Sequence, residues 1–86
     1  MAEVTLLYFA WVRERIGKAD ERLILPPEVM TFADLAALLA NRGGGYAEAF
    51  ADVTKLRVAA DQTMTPLDAP LAGAREIAFF PPVTGG

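Results

Sequence analysis

The residues best suited to chemistry in this 86-residue chain are the last two, Gly85 and Gly86, and the carboxylate they carry. Glycine has no Cβ, so two in series make a thread narrow enough to enter a deep active site, with no side chain crowding the terminal carbonyl. A frayed terminus is the competing reading, because last residues commonly lack fixed structure. Side-chain nucleophiles offer little alternative. There is no cysteine and no histidine, which removes thiolates, Ser-His and Cys-His pairs, disulfides and the common zinc, copper and haem ligand sets. The carboxylates fall in no motif that marks a catalytic acid-base pair. The expected chemistry is therefore terminal and needs a partner that supplies the catalytic groups.

Two residues before the diglycine, ahead of Val83 and Thr84, stand Pro81 and Pro82, preceded by a strand-like Glu76 to Phe80. The prolines stop strand pairing and bias the backbone towards extension, and Phe80 is restricted as the residue before a proline. Four residues beyond Pro82 reach about 13 Å when extended, enough to cross the wall of another protein's pocket. In the last strand Ile77 and Phe79 point one way, Ala78 and Phe80 the other. A helix covering one face leaves Phe80 on the opposite side.

The rest of the chain reads as the scaffold for that end. Glu3 to Phe9 is a hydrophobic strand with Val4, Leu6 and Tyr8 on one face and Thr5, Leu7 and Phe9 on the other, expected to be central and buried on most of both sides. Ala10 to Ile16 suits one or two helical turns ended by Gly17. Arg22 to Leu25 is a second strand, stopped by Pro26 and Pro27 and able to pair antiparallel with the first. Thr31 opens the clearest helix, with Asp34 three residues on as a weaker form of the capping box and Phe32, Leu35, Leu38 and Leu39 on one face. Gly43-Gly44-Gly45 reads as a helix stop and flexible loop; no Gly-Lys-Ser or Gly-Lys-Thr follows to make it a phosphate loop. Tyr46 to Asp52 suggests a short helical turn, with Tyr46 and Phe50 packing on one side. Lys55 to Ala60 alternates as a half-buried strand, Asp61 to Thr63 is a turn before a short Met64 segment, and Pro66 to Gly73 is a loop anchored by Leu67 and Leu71. The order predicts an α+β mixed sheet crossed by one main helix, as one domain over 1–82 with a flexible tail at 83–86.

Composition narrows the partners. A net charge of −3, with Lys18 and Lys55 the only lysines, gives no basic run for nucleic acid. No apolar stretch approaches the ~20 residues that span a bilayer, and Glu3 stands where a signal peptide would carry positive charge. A soluble, cytoplasmic protein is the expectation. A hydrophobic fraction of 53% is high for so small a chain, so apolar surface is expected to remain exposed for a partner.

The ending Phe79-Phe80-Pro81-Pro82-Val83-Thr84-Gly85-Gly86 resembles that of the small subunit of molybdopterin synthase, the MoaD family of ubiquitin-like sulfur carriers. Tyr8-Phe9-Ala10, followed by Val12-Arg13-Glu14 and Gly17, is similar to that family's first strand and short helix. Two turns depart from the pattern: Asp61 stands where the family commonly has Asn, and Gly73-Ala74-Arg75-Glu76 where it usually shows Asp-Gly-Asp-Glu.

The resemblance implies a β-grasp fold. It implies that the Gly86 carboxylate is adenylated by an E1-like activating enzyme using ATP, converted to a thiocarboxylate by a sulfur donor, and then delivers sulfur to cyclic pyranopterin monophosphate in the large synthase subunit, within a heterotetramer. No cofactor or metal is expected on this chain itself. It places Phe80 and Met64 at partner-contact positions, with Pro81, Pro82, Val83 and Thr84 leading to Gly85 and Gly86. Burial of Phe80 in the core is the alternative for that residue. The alternative functions are the related carrier for thiazole synthesis and a ubiquitin-like modifier or interaction module.

Overall fold

Alternation along the first strand decides the layering. In the computed structural model, which describes residues 3–82, strand β1 (Glu3–Tyr8) turns Val4, Leu6 and Tyr8 into the core and leaves Thr5 and Leu7 half-buried on the opposite face. Helix α1 (Ala10–Ile16) follows, ended by Gly17 at φ 90°, a left-handed conformation that glycine adopts without a Cβ clash. Strand β2 (Asp20–Ile24) pairs antiparallel with β1, Leu6 opposite Glu21.

Helix α2 (Phe32–Ala40) opens on the expected capping box: Thr31 Oγ1 accepts from the Asp34 amide while the Asp34 carboxylate accepts from the Thr31 amide. These reciprocal bonds satisfy donors that the first helical turn leaves free. Phe32, Leu35, Ala36 and Leu39 are buried in the same cluster as Val4, Leu6, Tyr8, Ile77 and Phe79, whereas Leu38 is half-buried at its margin.

The glycine run departs from expectation. Gly44–Ala49 forms a helix, α3, rather than a flexible loop, with Gly43 at φ 78° as its entry residue. A Cβ built at Gly45 would collide with the main-chain carbonyl oxygen of Arg15, so glycine here lets α3 lie directly on the end of α1. Close approach, not chain flexibility, is what this glycine supplies.

A 3-10 turn (Val53–Lys55) precedes strand β3 (Arg57–Ala60), so Lys55 lies in that turn and not in the strand expected from Lys55 onward. Strand β3 hairpins into β4 (Thr63–Thr65) through Asp61 and Gln62, both at positive φ as a two-residue hairpin of the primed type requires. Strand β5 (Glu76–Phe80) matches the expected bounds. The sheet order is β2-β1-β5-β3-β4, with β1 and β5 parallel and the other pairs antiparallel. The central strand is therefore β5, not β1. This mixed sheet with α2 packed into its inner-face core is the β-grasp arrangement.

One inward-facing charge braces the helical side. Glu21 accepts hydrogen bonds from the Tyr8 hydroxyl at 2.7 Å, the Tyr46 hydroxyl at 2.6 Å and Arg42 Nη1 at 3.1 Å. Lys18 Nζ adds a fourth positive or polar neighbour at 3.7 Å. Burial alone would raise the Glu21 pKa, but the bonds from Tyr46, Tyr8 and Arg42 outweigh it and hold the carboxyl below the ordinary glutamate range. Burial, then the adjoining carboxylate, push the Tyr8 phenol well above its usual value. The network ties β1, β2 and α3 together across long sequence separations.

Candidate docking face at the tail exit

Parity along β5 separates two adjacent phenylalanines. Phe79 is fully buried with Ile77, while Phe80 lies half-buried on the outer face, opposite Arg57 of β3. Parallel pairing of Tyr8 with Phe79 carries the same parity across to β1, and the Phe9 amide donates to the Phe79 carbonyl at 3.2 Å. Phe9 is thereby held beside Phe80, 46% exposed. Phe9, Ala10, Ala59, Ala78 and Phe80 line one shallow depression that runs onto Pro81 and Pro82.

Met64 extends this surface. It is 62% exposed and sits opposite Ala59, which in turn sits opposite Ala78. Small residues at 59 and 78 keep the centre of the face low, between Met64 on one edge and the two phenylalanines at the end from which the chain departs. The Asp61 carboxylate fixes the hairpin that carries Met64: Oδ1 accepts from the Glu76 amide at 3.0 Å and from the Arg75 amide at 3.2 Å. The Asp61 amide returns a bond to the Glu76 carbonyl at 2.8 Å. Asp61 thus bonds both amides at the start of β5.

The structure places Phe80 and Met64 on one outer face that runs onto Pro81 and Pro82. Val83, Thr84, Gly85 and Gly86 lie outside the described residues. Phe9 is a member of this face that the sequence reading assigned only to the second side of β1; its shared parity with Leu7 was the available signal. Among the described residues no cluster of carboxylates is placed to hold a metal ion. Nor is any helix long and apolar enough to cross a membrane.

A second concavity opens on the other side of the same prolines. It is a groove of about 600 Å³ between α1, α3 and the 3-10 turn, walled by Trp11, Arg15, Glu48, Asp52 and Lys55. The Arg15 guanidinium stacks over the Trp11 ring at 4.5 Å. Asp52 is committed to the 3-10 turn, accepting from the Thr54 amide at 3.0 Å and hydroxyl at 2.5 Å, bonds that lower its pKa. Pro81 and Pro82 line both concavities, so the chain leaves the domain along the ridge between them.

An open apolar face beside Pro81 and Pro82 has the form of a landing surface for another protein. Comparison with known proteins identifies which kind. Residues 6–86 match the model of the ThiS family. The chain belongs to that family. It is 40% identical over 83 residues to the molybdopterin synthase sulfur carrier subunit of Haemophilus influenzae, an alignment covering 96% of this chain and 99% of that protein. Among solved structures, SAMP1 from Haloferax volcanii superposes with a TM-score of 0.67 at 22% identity, covering 99% of this chain and all of that one. A complex of subunits 1 and 2 of the molybdopterin-converting factor from Helicobacter pylori contains a chain that superposes with a TM-score of 0.63 at 20% identity, covering 99% of this chain and 100% of that chain. At these identities the two structures establish the shared β-grasp fold.

Proposed function

We propose that this protein is the sulfur carrier subunit of molybdopterin synthase and that its apolar outer face is where its protein partners land. The observation that carries this reading is the placement of Phe9, Met64 and Phe80 on one open face that ends at Pro81 and Pro82, four residues short of the C-terminal Gly86. The relative from Haemophilus influenzae, named for molybdopterin synthase and aligned over nearly all of both chains, favours this carrier over the thiazole-synthesis carrier and over a lysine-conjugated modifier. The subunit complex from Helicobacter pylori supports a large subunit as one partner.

In this proposal the Gly86 carboxylate attacks the α-phosphorus of ATP within an E1-like activating enzyme, releasing pyrophosphate and leaving an acyl-adenylate. Sulfur from a donor then displaces AMP, so one carboxylate oxygen is exchanged for sulfur. The reason for activation is elementary: a carboxylate is a poor electrophile until it carries a leaving group. The loaded terminus delivers sulfur to cyclic pyranopterin monophosphate in the large subunit, in a heterotetramer in the cytoplasm. The carrier contributes the terminus, and the partners contribute the acid-base groups. ATP belongs to the activating enzyme.

Intact mass after coexpression with an activating enzyme and sulfur source tests this directly. The expected shift is the mass of sulfur less that of oxygen, absent when Gly86 is deleted, with an unchanged melting temperature for the truncated chain. Conjugates to lysine side chains, or loading of the chain lacking Gly86, would overturn it.

A further inference from the structure

Strand β4 carries Met64 onto the docking face yet has little burial to hold it there. It is an edge strand of three residues, paired with β3 alone, and none of the three is buried. The core cluster reaches Leu56 and Val58 on and beside β3 but takes in no residue of β4. Packing therefore does not fix where Met64 stands. The turn before it is unfavourable for the residues it uses, because Asp61 at φ 49° and Gln62 at φ 71° both occupy the left-handed region and neither is glycine. Some other contact must hold the hairpin in place.

Asp61 supplies that contact. Its carboxylate accepts from the Arg75 and Glu76 amides and its own amide donates to the Glu76 carbonyl, so three main-chain groups at the entry to β5 close on one residue. The Arg75 carbonyl in turn accepts from the Thr5 amide at 2.8 Å, which joins the same point to β1. The hairpin tip is thereby tied to the two strands that pair in parallel inside the sheet. Phe80 ends the strand whose first residue Asp61 grips, so the spacing between Met64 and Phe80 is set through β5. We propose that Asp61 is a positioning residue for docking of the large subunit: without touching the partner, it holds the β3-β4 hairpin so that Met64 and Phe80 meet one partner surface together. This rests on the sulfur-carrier reading and goes beyond it by naming the residue that sets the geometry of the landing face. An anchor already in place binds without the ordering cost that a loose hairpin incurs.

The test is a double-mutant cycle on the affinity of the full carrier for the large subunit, read by calorimetry below the melting temperature of every variant. Asp61→Gly keeps the positive φ without strain and removes only the carboxylate, so it isolates the clamp from the backbone conformation. It should weaken binding about fivefold, and Met64→Ala about tenfold. The double variant should bind no more than about twofold worse than Met64→Ala alone, because Asp61 has nothing left to position. Asp61→Asn retains a side-chain oxygen as acceptor and tolerates the left-handed turn, and should bind within about twofold of wild type. Losses that multiply to about fiftyfold in the double variant would show that Asp61 acts independently of Met64 and would overturn the proposal. Wild-type affinity of Asp61→Gly or of Met64→Ala, or an Asp61→Asn chain as weak as Asp61→Gly, would overturn it equally. A wild-type chain that does not bind the large subunit would remove the sulfur-carrier reading itself, an outcome distinct from each of these.

Discussion

Phe79 and Phe80 are neighbours of the same residue type on the same strand, yet one closes the core and the other faces outward. On the inner face Phe79 meets Phe50 edge to face at 5.0 Å between ring centroids, within a cluster that includes Val4, Leu6, Leu35 and Ile77. On the outer face Phe80 has the small residues Ala59 and Ala78 beside it, with Phe9 and Met64 standing exposed around them. The inner face has α2 and α3 to cover it, and no element of the described fold covers the outer one. The difference shows how a small domain divides its apolar residues between stability and recognition by strand parity alone.

The comparison breaks most sharply at Phe79. Replacing it with Ala leaves a cavity under the central strand and should cost about 3–5 kcal/mol, read as a shift in the denaturant midpoint. Phe80→Asp should leave stability within about 1 kcal/mol of wild type. Its effect should instead appear in binding of the large subunit, where loss of an aromatic anchor costs about 2 kcal/mol or more, roughly a thirtyfold weaker Kd by calorimetry. Global unfolding of Phe80→Asp would place that side chain with the core and end the distinction between the faces.

The core side can be probed further at its closest seam. Gly45→Ala must push α3 off the Arg15 carbonyl, and main chain cannot give way as a flexible side-chain tip can. The expected loss is about 1–3 kcal/mol, measured by equilibrium unfolding. The smallest effect concerns Glu21. Its folded pKa lies below the ordinary value, so its contribution is present above that ordinary value and is lost as pH falls through the lowered one. Melting temperatures followed downward from about pH 6, above the usual glutamate pKa of about 4.3, should therefore fall more steeply for wild type than for Glu21→Gln. Parallel curves would show that the Tyr8, Tyr46 and Arg42 bonds do not favour the ionised form.

Much of the fold was legible because its signals are local. The bounds of β5, the short helix ended by Gly17, the Thr31 and Asp34 capping box and the Asp61-Gln62 turn each follow from a few consecutive residues. The glycine run was misread because glycine's weak helix propensity points to a loop, and only the nearness of Arg15 explains why a side-chain-free residue sits inside α3. Glu21 showed no signal of its own, since its three hydrogen-bond donors lie 13 to 25 residues away in the chain. The groove beside the prolines was equally invisible, being assembled from α1, α3 and the 3-10 turn.

By itself the sequence determined most of the elements, the parity of each strand and the motif that ends the chain, because hydrophobic period, caps and turn residues act over a few positions. Tertiary structure decided that β5 is central, that Met64 and Phe9 share Phe80's face, and that Arg15 and Lys55 meet at its edge. Those facts depend on strand order and helix packing, which are set by burying one common core from distant segments and are written in no single stretch of residues.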